Sequence, residues 1–330
     1  MARTWISDIE APQAVAEVFL VRRKLLCTSP SNGKTYLSLL LADRTGELDA
    51  RVWDRVERLS AAFEEGDFVR VEGRAVRYQG RLQVHLSTID KIPGDDLAPE
   101  DFLPPPTTSP ELLFAQTETF VKSVENPHLR DLLERVLDDE AFSTAYRRTP
   151  GGKSIHHARL GGLMEHTLAM CRLIEGICAV YAESLPGLVD RDLLITAGLL
   201  HDCGKTLELS SDRKFDYTDS GRLIGHVVLG YELVSKHLAA MPSFPEPLGL
   251  HLKHLLLSHH GELAHGAPKR PKTIEAWILH YADVLDSRVS QVADLLRNLP
   301  PGSWTSYQPL YDRYFWRCPS GKEDEPDEGG

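Results

Sequence analysis

Thiols are few. The 330 residues hold five cysteines (Cys27, Cys171, Cys178, Cys203 and Cys318), an odd number with no Cys-x-x-Cys pair. That excludes a disulfide framework and a cysteine-zinc ribbon, and it fits reduced thiols in a cytoplasmic protein. Long apolar runs are missing too. No stretch reaches the ~18 residues a membrane-spanning helix requires, and the opening MARTWISDIE lacks an apolar signal core. A cytoplasmic chain with no membrane partner is the expectation. Positive charge is not in excess either. Lys and Arg number 37 against 48 Asp and Glu, a net charge of −11, which excludes a broad basic field. The deficit is uneven. Residues 1–92 carry 14 basic and 13 acidic side chains, so a local basic groove stays open there. GKEDEPDEGG holds five acids, and residues 319–330 read as a solvated, disordered tail.

What is present changes character along the chain. From Val15 to Ile92 the pattern is short and β-like: VAEVFLVRRKLLCT, KTYLSLLLAD, GELDARVWD, DFVRVEGRAVRYQG and RLQVHLSTIDKI, punctuated by turn residues. VERLSAAFEEG, between the third and fourth runs, has helical spacing. Five strands with a helix between the third and fourth is the order of an OB-fold barrel, with another small barrel or sandwich as the alternative. Residues 1–93 are assigned to this domain. Residues 94–110, centred on GDDLAPEDFLPPPTTSP, are too rich in proline for regular structure and read as a linker. Beyond it the period shifts from 2 to 3.6, and residues 111–318 read as an all-helical domain. The fold class expected is therefore multidomain, an all-β OB-fold barrel followed by an all-α domain.

Histidine is scarce in the first 150 residues, where only His85 and His128 occur, and the helical part holds the other twelve. His166 shares a helical stripe with Leu163, Met170 and Leu173. In LLHDCGK an apolar helix runs straight into His201 and Asp202. His226 opens a helix in GRLIGHVVLG, His259 and His260 end one in LLLSHHG, and Asp283 lies within LHYADVLD. Any one of these fits a hydrogen-bonded core residue. Six buried imidazoles and carboxylates without a cation would leave several unpaired, at roughly 1–3 kcal/mol each. Nitrogen and oxygen donors without thiolate suit Mn, Fe, Co, Ni or Zn. His166, His201, Asp202 and Asp283 suffice for one ion. With His226, His259 and a bridging Asp202 there are donors for two, the arrangement that clamps a phosphoryl group and activates water. Lys205 can then stabilise charge growing on phosphate oxygens, or it can be a lysine favoured by a helix C-terminus.

His166, the His201–Asp202 pair and Asp283, with HDCGK in the HDxxK form, resemble the HD superfamily of metal-dependent phosphohydrolases. His226 and His259 resemble its two-metal branch. The reading HHGELAHGAP lacks the GYP triplet of the cyclic-dinucleotide branch. With the OB-type strands, the Pro-rich linker, SIHHARLGGLMEHT and ILHYADVLD, the whole chain is similar to the YhaM-like 3′→5′ exoribonucleases. That resemblance implies manganese or cobalt dependence and degradation of single-stranded RNA, in some cases DNA, from the 3′ end. It also transfers metal-ligand roles to His166, His201, Asp202, His226, His259 and Asp283, with Asp202 and Lys205 as catalytic residues. Between His259 and His260, His259 is favoured as the ligand.

Substrate contacts are read more loosely. His156, His157 and His260 are candidates; His156 and His157 would contact substrate or support the ligands, and could equally be residues at the N-terminus of a helix. In the barrel, Tyr36, Trp53 and Tyr78 fall within strands, flanked by Arg51, Arg74, Arg77 and Arg81. Stacked bases and tracked phosphates need such residues, of which Arg77, Tyr78 and Arg81 lie beside a turn, while strand aromatics also serve as core. The reaction expected is removal of nucleoside 5′-monophosphates from a 3′ end, with single-stranded RNA or DNA as partner and a homo-oligomer left open. The alternatives are a phosphohydrolase of free nucleotides and a non-catalytic nucleic-acid-binding adaptor.

Overall fold

The computed structural model of the chain describes residues 3–30, 33–94, 97–153, 157–210, 215–297 and 299–319. In the N-terminal part, β1 (Gln13–Thr28), β2 (Thr35–Asp43), β3 (Gly46–Val52), β4 (Phe68–Tyr78) and β5 (Arg81–Ile92) close a barrel in the order β1-β2-β3-β5-β4. Closure depends on the length of β1. Its first half pairs with β4 and its second half with β2, and the register slips between Val21 and Arg23 where it changes partner. The parallel contact of β3 with β5 completes the ring. Alternation places Leu37, Leu39 and Leu41 of β2 inside with Phe19, Val71 and Val84. Gln79 and Gly80 both have positive φ (48° and 78°), the geometry of a two-residue hairpin turn, and so align β4 with β5. The helix expected over VERLSAAFEEG is shorter, α1 (Val56–Ser60), and tucks Val56 into the barrel core. Trp53 lies one residue past β3 instead of within a strand.

The described residues 97–109 are irregular apart from one turn at Pro99–Asp101, yet they do not behave as a spacer. Phe102 and Leu103 are fully buried in a cluster with Leu20 and Phe68 of the barrel and Leu160 and Phe215 of the helical part. Asp101 pairs with Arg3 at 2.7 Å, and the Pro104 carbonyl accepts from the Leu160 amide. The segment works as an adhesive strap. Proline denies it helix and strand but leaves its apolar side chains available for packing.

The helical part comprises α2 (Pro110–Ser123), α3 (Pro127–Asp138), α4 (Glu140–Arg148), α5 (Gly162–Tyr181), α6 (Arg191–Leu200), α7 (Lys205–Glu208), α8 (Asp219–Leu223), α9 (His226–Ala239), α10 (Glu246–Ser258) and α11 (Ile274–Leu296). Ser109, Asn126, Asp139, Asp190 and Thr273 accept amide hydrogens at the starts of α2, α3, α4, α6 and α11. The core is built around α6, whose residues 193–200 are all buried. A helix apolar on every side belongs at the centre of a bundle, which explains the greasy run before His201. Two departures from an all-helical domain occur: a short ribbon of β6 (Leu209–Ser210) with β7 (Asp216–Tyr217), and a non-helical arm over 299–319. Among the described residues no helix is long and apolar enough to cross a membrane.

Candidate metal centre and nucleic-acid groove

α6 delivers His201 and Asp202 to the middle of the bundle, both buried. Gly204 lets the following turn press against α9, since a Cβ there would lie 2.0 Å from the His226 carbonyl oxygen. α5 brings His166, α9 brings His226, the end of α10 brings His259 and His260, and α11 brings Asp283. The donor atoms converge. His166 Nε2 lies 3.1 Å from His201 Nε2 and 3.4 Å from Asp283 Oδ1. Asp202 Oδ2 is 3.5 Å from His166 Nε2 and 3.4 Å from His201 Nε2. Its Oδ1 faces the other way, 3.4 Å from His226 Nε2 and 3.8 Å from His259 Nε2. His260 Nε2 stands 3.3 Å from His226 Nε2, so His226, His259 and His260 form a second donor group. One carboxylate thus lies between two clusters.

The imidazoles are oriented for coordination. His201 Nδ1 lies 2.9 Å from the Gly198 carbonyl oxygen and His259 Nδ1 lies 2.7 Å from that of Leu256. A carbonyl only accepts, so Nδ1 carries the hydrogen in each ring and the Nε2 lone pair turns inward. His166 Nδ1 is held by Asp286 at 2.7 Å and His226 Nδ1 by Glu208 at 3.0 Å, the carboxylate–histidine pairing that steadies metal ligands. His259 Nε2 and His260 Nδ1 are buried without a hydrogen-bond partner. Inward lone pairs separated by about 3.4 Å suit donors ~2.0–2.2 Å from a shared ion, and the orphaned His259 Nε2 would gain a partner from one. The residues present fit divalent cations.

Charge follows the same division. Burial opposes ionisation of Asp202, but Lys205, His201 and His226 outweigh it and hold the carboxyl well below the usual range. Burial likewise opposes a charge on His166, yet hydrogen bonds to Asp283 and Asp286 push its pKa up to about 9. Across Asp202 the balance reverses. Burial and the neighbouring His260 and His201 keep His259 well below the usual histidine value, and burial with His226 lowers His260.

Lys205 is not aimed at open solvent. Its Nζ lies 2.7 Å from Asp202 Oδ2 and donates to the Gly151 carbonyl at 2.6 Å. His157 stands behind the donor cluster, its Nε2 3.1 Å from Asp286 Oδ2 and 3.0 Å from Ser290 Oγ, while His156 lies outside the described residues. Sequence reasoning missed Asp286, Glu208, Glu165 and His280. The first two carried a signal in their spacing: Asp286 is one helical turn past Asp283, and Glu208 one turn past Lys205. His280 donates to the His259 carbonyl at 2.7 Å, and its ring fills the space a Cβ on Gly261 (φ +77°) would need, fixing the corner that carries the histidine pair.

On the barrel, Tyr36 stacks on Trp53 with ring centres 4.7 Å apart. With exposed Tyr78, Arg51, Arg81 and His85 they line a groove of about 860 Å³. Arg77 does not line it; adjacent to Tyr78 along β4, it points to the other face and reaches the Gly80 carbonyl.

A closed five-stranded barrel joined to a helical bundle with a shared His/Asp centre defines an OB-fold protein carrying an HD-type hydrolase domain. Residues 163–288 match the HD domain family and residues 14–92 the family described as OB-fold nucleic acid binding domain. The chain is 33% identical over 299 residues to the 3′-5′ exoribonuclease YhaM of Listeria welshimeri, covering 90% of this chain and 93% of that one. It is 30% identical over 303 residues to the protein of the same name from Geobacillus sp. (91% of each chain) and 32% over 298 residues to that of Bacillus velezensis (90% and 92%). The chain belongs to the YhaM 3′-5′ exoribonuclease family.

Proposed function

We propose that the chain is a divalent-metal-dependent 3′→5′ exonuclease that removes nucleoside 5′-monophosphates from single-stranded RNA. The observation that carries the reading is the pair of donor groups on either side of Asp202, with His259 Nε2 buried and unpartnered. One ion would be held by His166, His201, Asp202 and Asp283, and a second by Asp202, His226, His259 and His260. His260 thus moves from substrate contact to ligand. A donor set of imidazole and carboxylate suits Mn, with Co, Fe, Ni and Zn as alternatives. The chemistry such ions supply is acidification of water and screening of phosphoryl charge. Asp202 joins the two ligand groups, and Lys205 fixes a positive charge beside it. Water adds to phosphorus, the bond to the upstream 3′ oxygen breaks, and that oxygen takes up a proton. The phosphate therefore leaves on the 5′ side of the released nucleotide. The barrel groove would hold the strand between cuts, keeping its end at high local concentration; stacking there involves Tyr36, Trp53 and Tyr78, with Arg51 and Arg81 toward the phosphates.

The test couples metal analysis of the purified protein to digestion of a 5′-labelled single-stranded RNA with Mn²⁺. A ladder shortening from the 3′ end with nucleoside 5′-monophosphate as product is expected. Hydrolysis of free nucleotides with oligonucleotides left intact would overturn the reading.

A further inference from the structure

The non-helical arm after α11 folds back on itself through bridges between Trp304 and Trp316 and between Gln308 and Arg313. Between 304 and 316 lie Trp304, Tyr307, Tyr311, Tyr314, Phe315 and Trp316. Large aromatics normally retire from solvent, but here Trp304 is 63% exposed, Tyr314 56%, Tyr307 45% and Trp316 45%. They lie in pairs: Trp304 and Trp316 have ring centres 6.2 Å apart and planes inclined at 31°, and Tyr307 lies 5.4 Å from Tyr314.

The arm is tied to the helix that carries Asp283. The Tyr311 hydroxyl donates to Gln291 Oε1, the Arg288 guanidinium lies over the Tyr311 ring, and Arg317 donates to the Leu296, Arg297 and Leu299 carbonyls at the end of α11. Gln291 stands two turns from Asp283 on one helix face, with Ser287 between them donating to Asp283 Oδ1 at 3.4 Å. The axial distance from Asp283 to Gln291 is ~12 Å, the length of about three or four stacked nucleotides. Tyr311 at the tip of the arm is thus fixed about 12 Å along α11 from Asp283, and Arg317, beside Trp316, fixes the base of the arm at Leu296, about 20 Å along. The charge is suited to phosphate. Within 299–319 Arg313 and Arg317 face one acid, Asp312, which accepts from the Tyr307 hydroxyl, although the whole chain carries −11.

We propose that this arm is a second stacking platform for single-stranded nucleic acid. With the 3′ end at the metal centre, bases a few nucleotides upstream lie on Trp304 and Trp316, and the intervening phosphates pass Arg288 and Arg313. The platform rests on the exonuclease reading for its direction and adds a hold on the helical side, separate from the barrel groove. Aromatic faces accept any base, as an enzyme consuming arbitrary sequence requires.

Fluorescence anisotropy with a single-stranded RNA of about twelve nucleotides, recorded in chelator so that no cleavage occurs, tests the idea on the full chain. Trp304→Ala/Trp316→Ala should weaken binding about tenfold or more, and Trp304→Phe/Trp316→Phe should restore most of it. With Mn²⁺, the preference in kcat/KM for that RNA over a dinucleotide should fall by a similar factor. Unchanged affinity in the alanine variant overturns the proposal. So does a loss of affinity accompanied by dissociation of an oligomer in light scattering, which would assign the arm to contact between copies. Wild-type protein that binds RNA through the arm yet hydrolyses neither substrate would remove the exonuclease reading and leave the platform standing.

Discussion

The two sides of Asp202 solve the same problem differently. On the Asp283 side, hydrogen bonds to Asp283 and Asp286 hold a proton on His166, whose pKa is about 9, so a proton stands where a cation could. On the His259 side, His259 and His260 have their pKa lowered, His226 and His260 turn their Nε2 atoms toward one another, and His259 Nε2 is buried without a hydrogen-bond partner. The first half holds a proton that an ion would displace, whereas the second offers a buried lone pair that an ion would satisfy. Metal loading should therefore be unequal in its pH dependence, the Asp283 side having the His166 proton to release.

The largest effect should come from the residue both halves share. Asp202→Ala is expected to remove both ions and lower exonuclease activity by more than about 10³-fold, beyond the loss of a single electrostatic donor, with circular dichroism unchanged. Full metal content in that variant would break the comparison at its root. Next, His259→Ala and Asp283→Asn should each lose one ion of the two, read by metal analysis, the survivor lying on the opposite side. The outer carboxylates sharpen the contrast. Glu208→Gln should weaken binding on the imidazole side and Asp286→Asn on the other, each by ~10–100-fold, measured by competition with a chelating dye.

The smallest effect is one proton. Because the folded-state pKa of His166 is about 9, above the ordinary 6.5, its charged form stabilises the metal-free protein fully below pH 6.5, and that contribution fades as pH rises through about 9. An ion entering the Asp283 side must displace this proton. Its affinity should climb about tenfold per pH unit between roughly 7 and 9, and calorimetry in buffers of differing ionisation enthalpy should register close to one proton released. A pH-independent affinity on that side would show that His166 is neutral before the ion arrives.

Much of this arrangement was legible in the chain. Barrel order followed from alternation and turns, because strand period and hairpin chemistry are local properties. The candidate donor positions stood out because a His or Asp against an apolar helix face contradicts its surroundings. Asp286 and Glu208 did not stand out, since a carboxylate on an amphipathic helix looks like a solvated one until the partner histidine is placed beside it. The strap was opaque for another reason: proline content reports on backbone regularity, while the burial of Phe102 and Leu103 depends on surfaces from both the barrel and the helical part. The helical reading of the last stretch failed over 299–319, where aromatics and Arg317 cap α11 instead of extending it.

One hydrogen-bond pair in the strap reaches further than its size suggests. Thr107 gives both its amide and its hydroxyl to Glu165, the neighbour of His166 in α5. A hydrolase fragment cut from the chain at Pro110 would leave that carboxylate, next to His166 in sequence, short of two donors and uncover the apolar seat of Phe102 and Leu103 on Leu160 and Phe215. Dissecting this protein into barrel and bundle therefore injures the catalytic half, and an inactive fragment would testify to the cut before it testified to any need for the barrel.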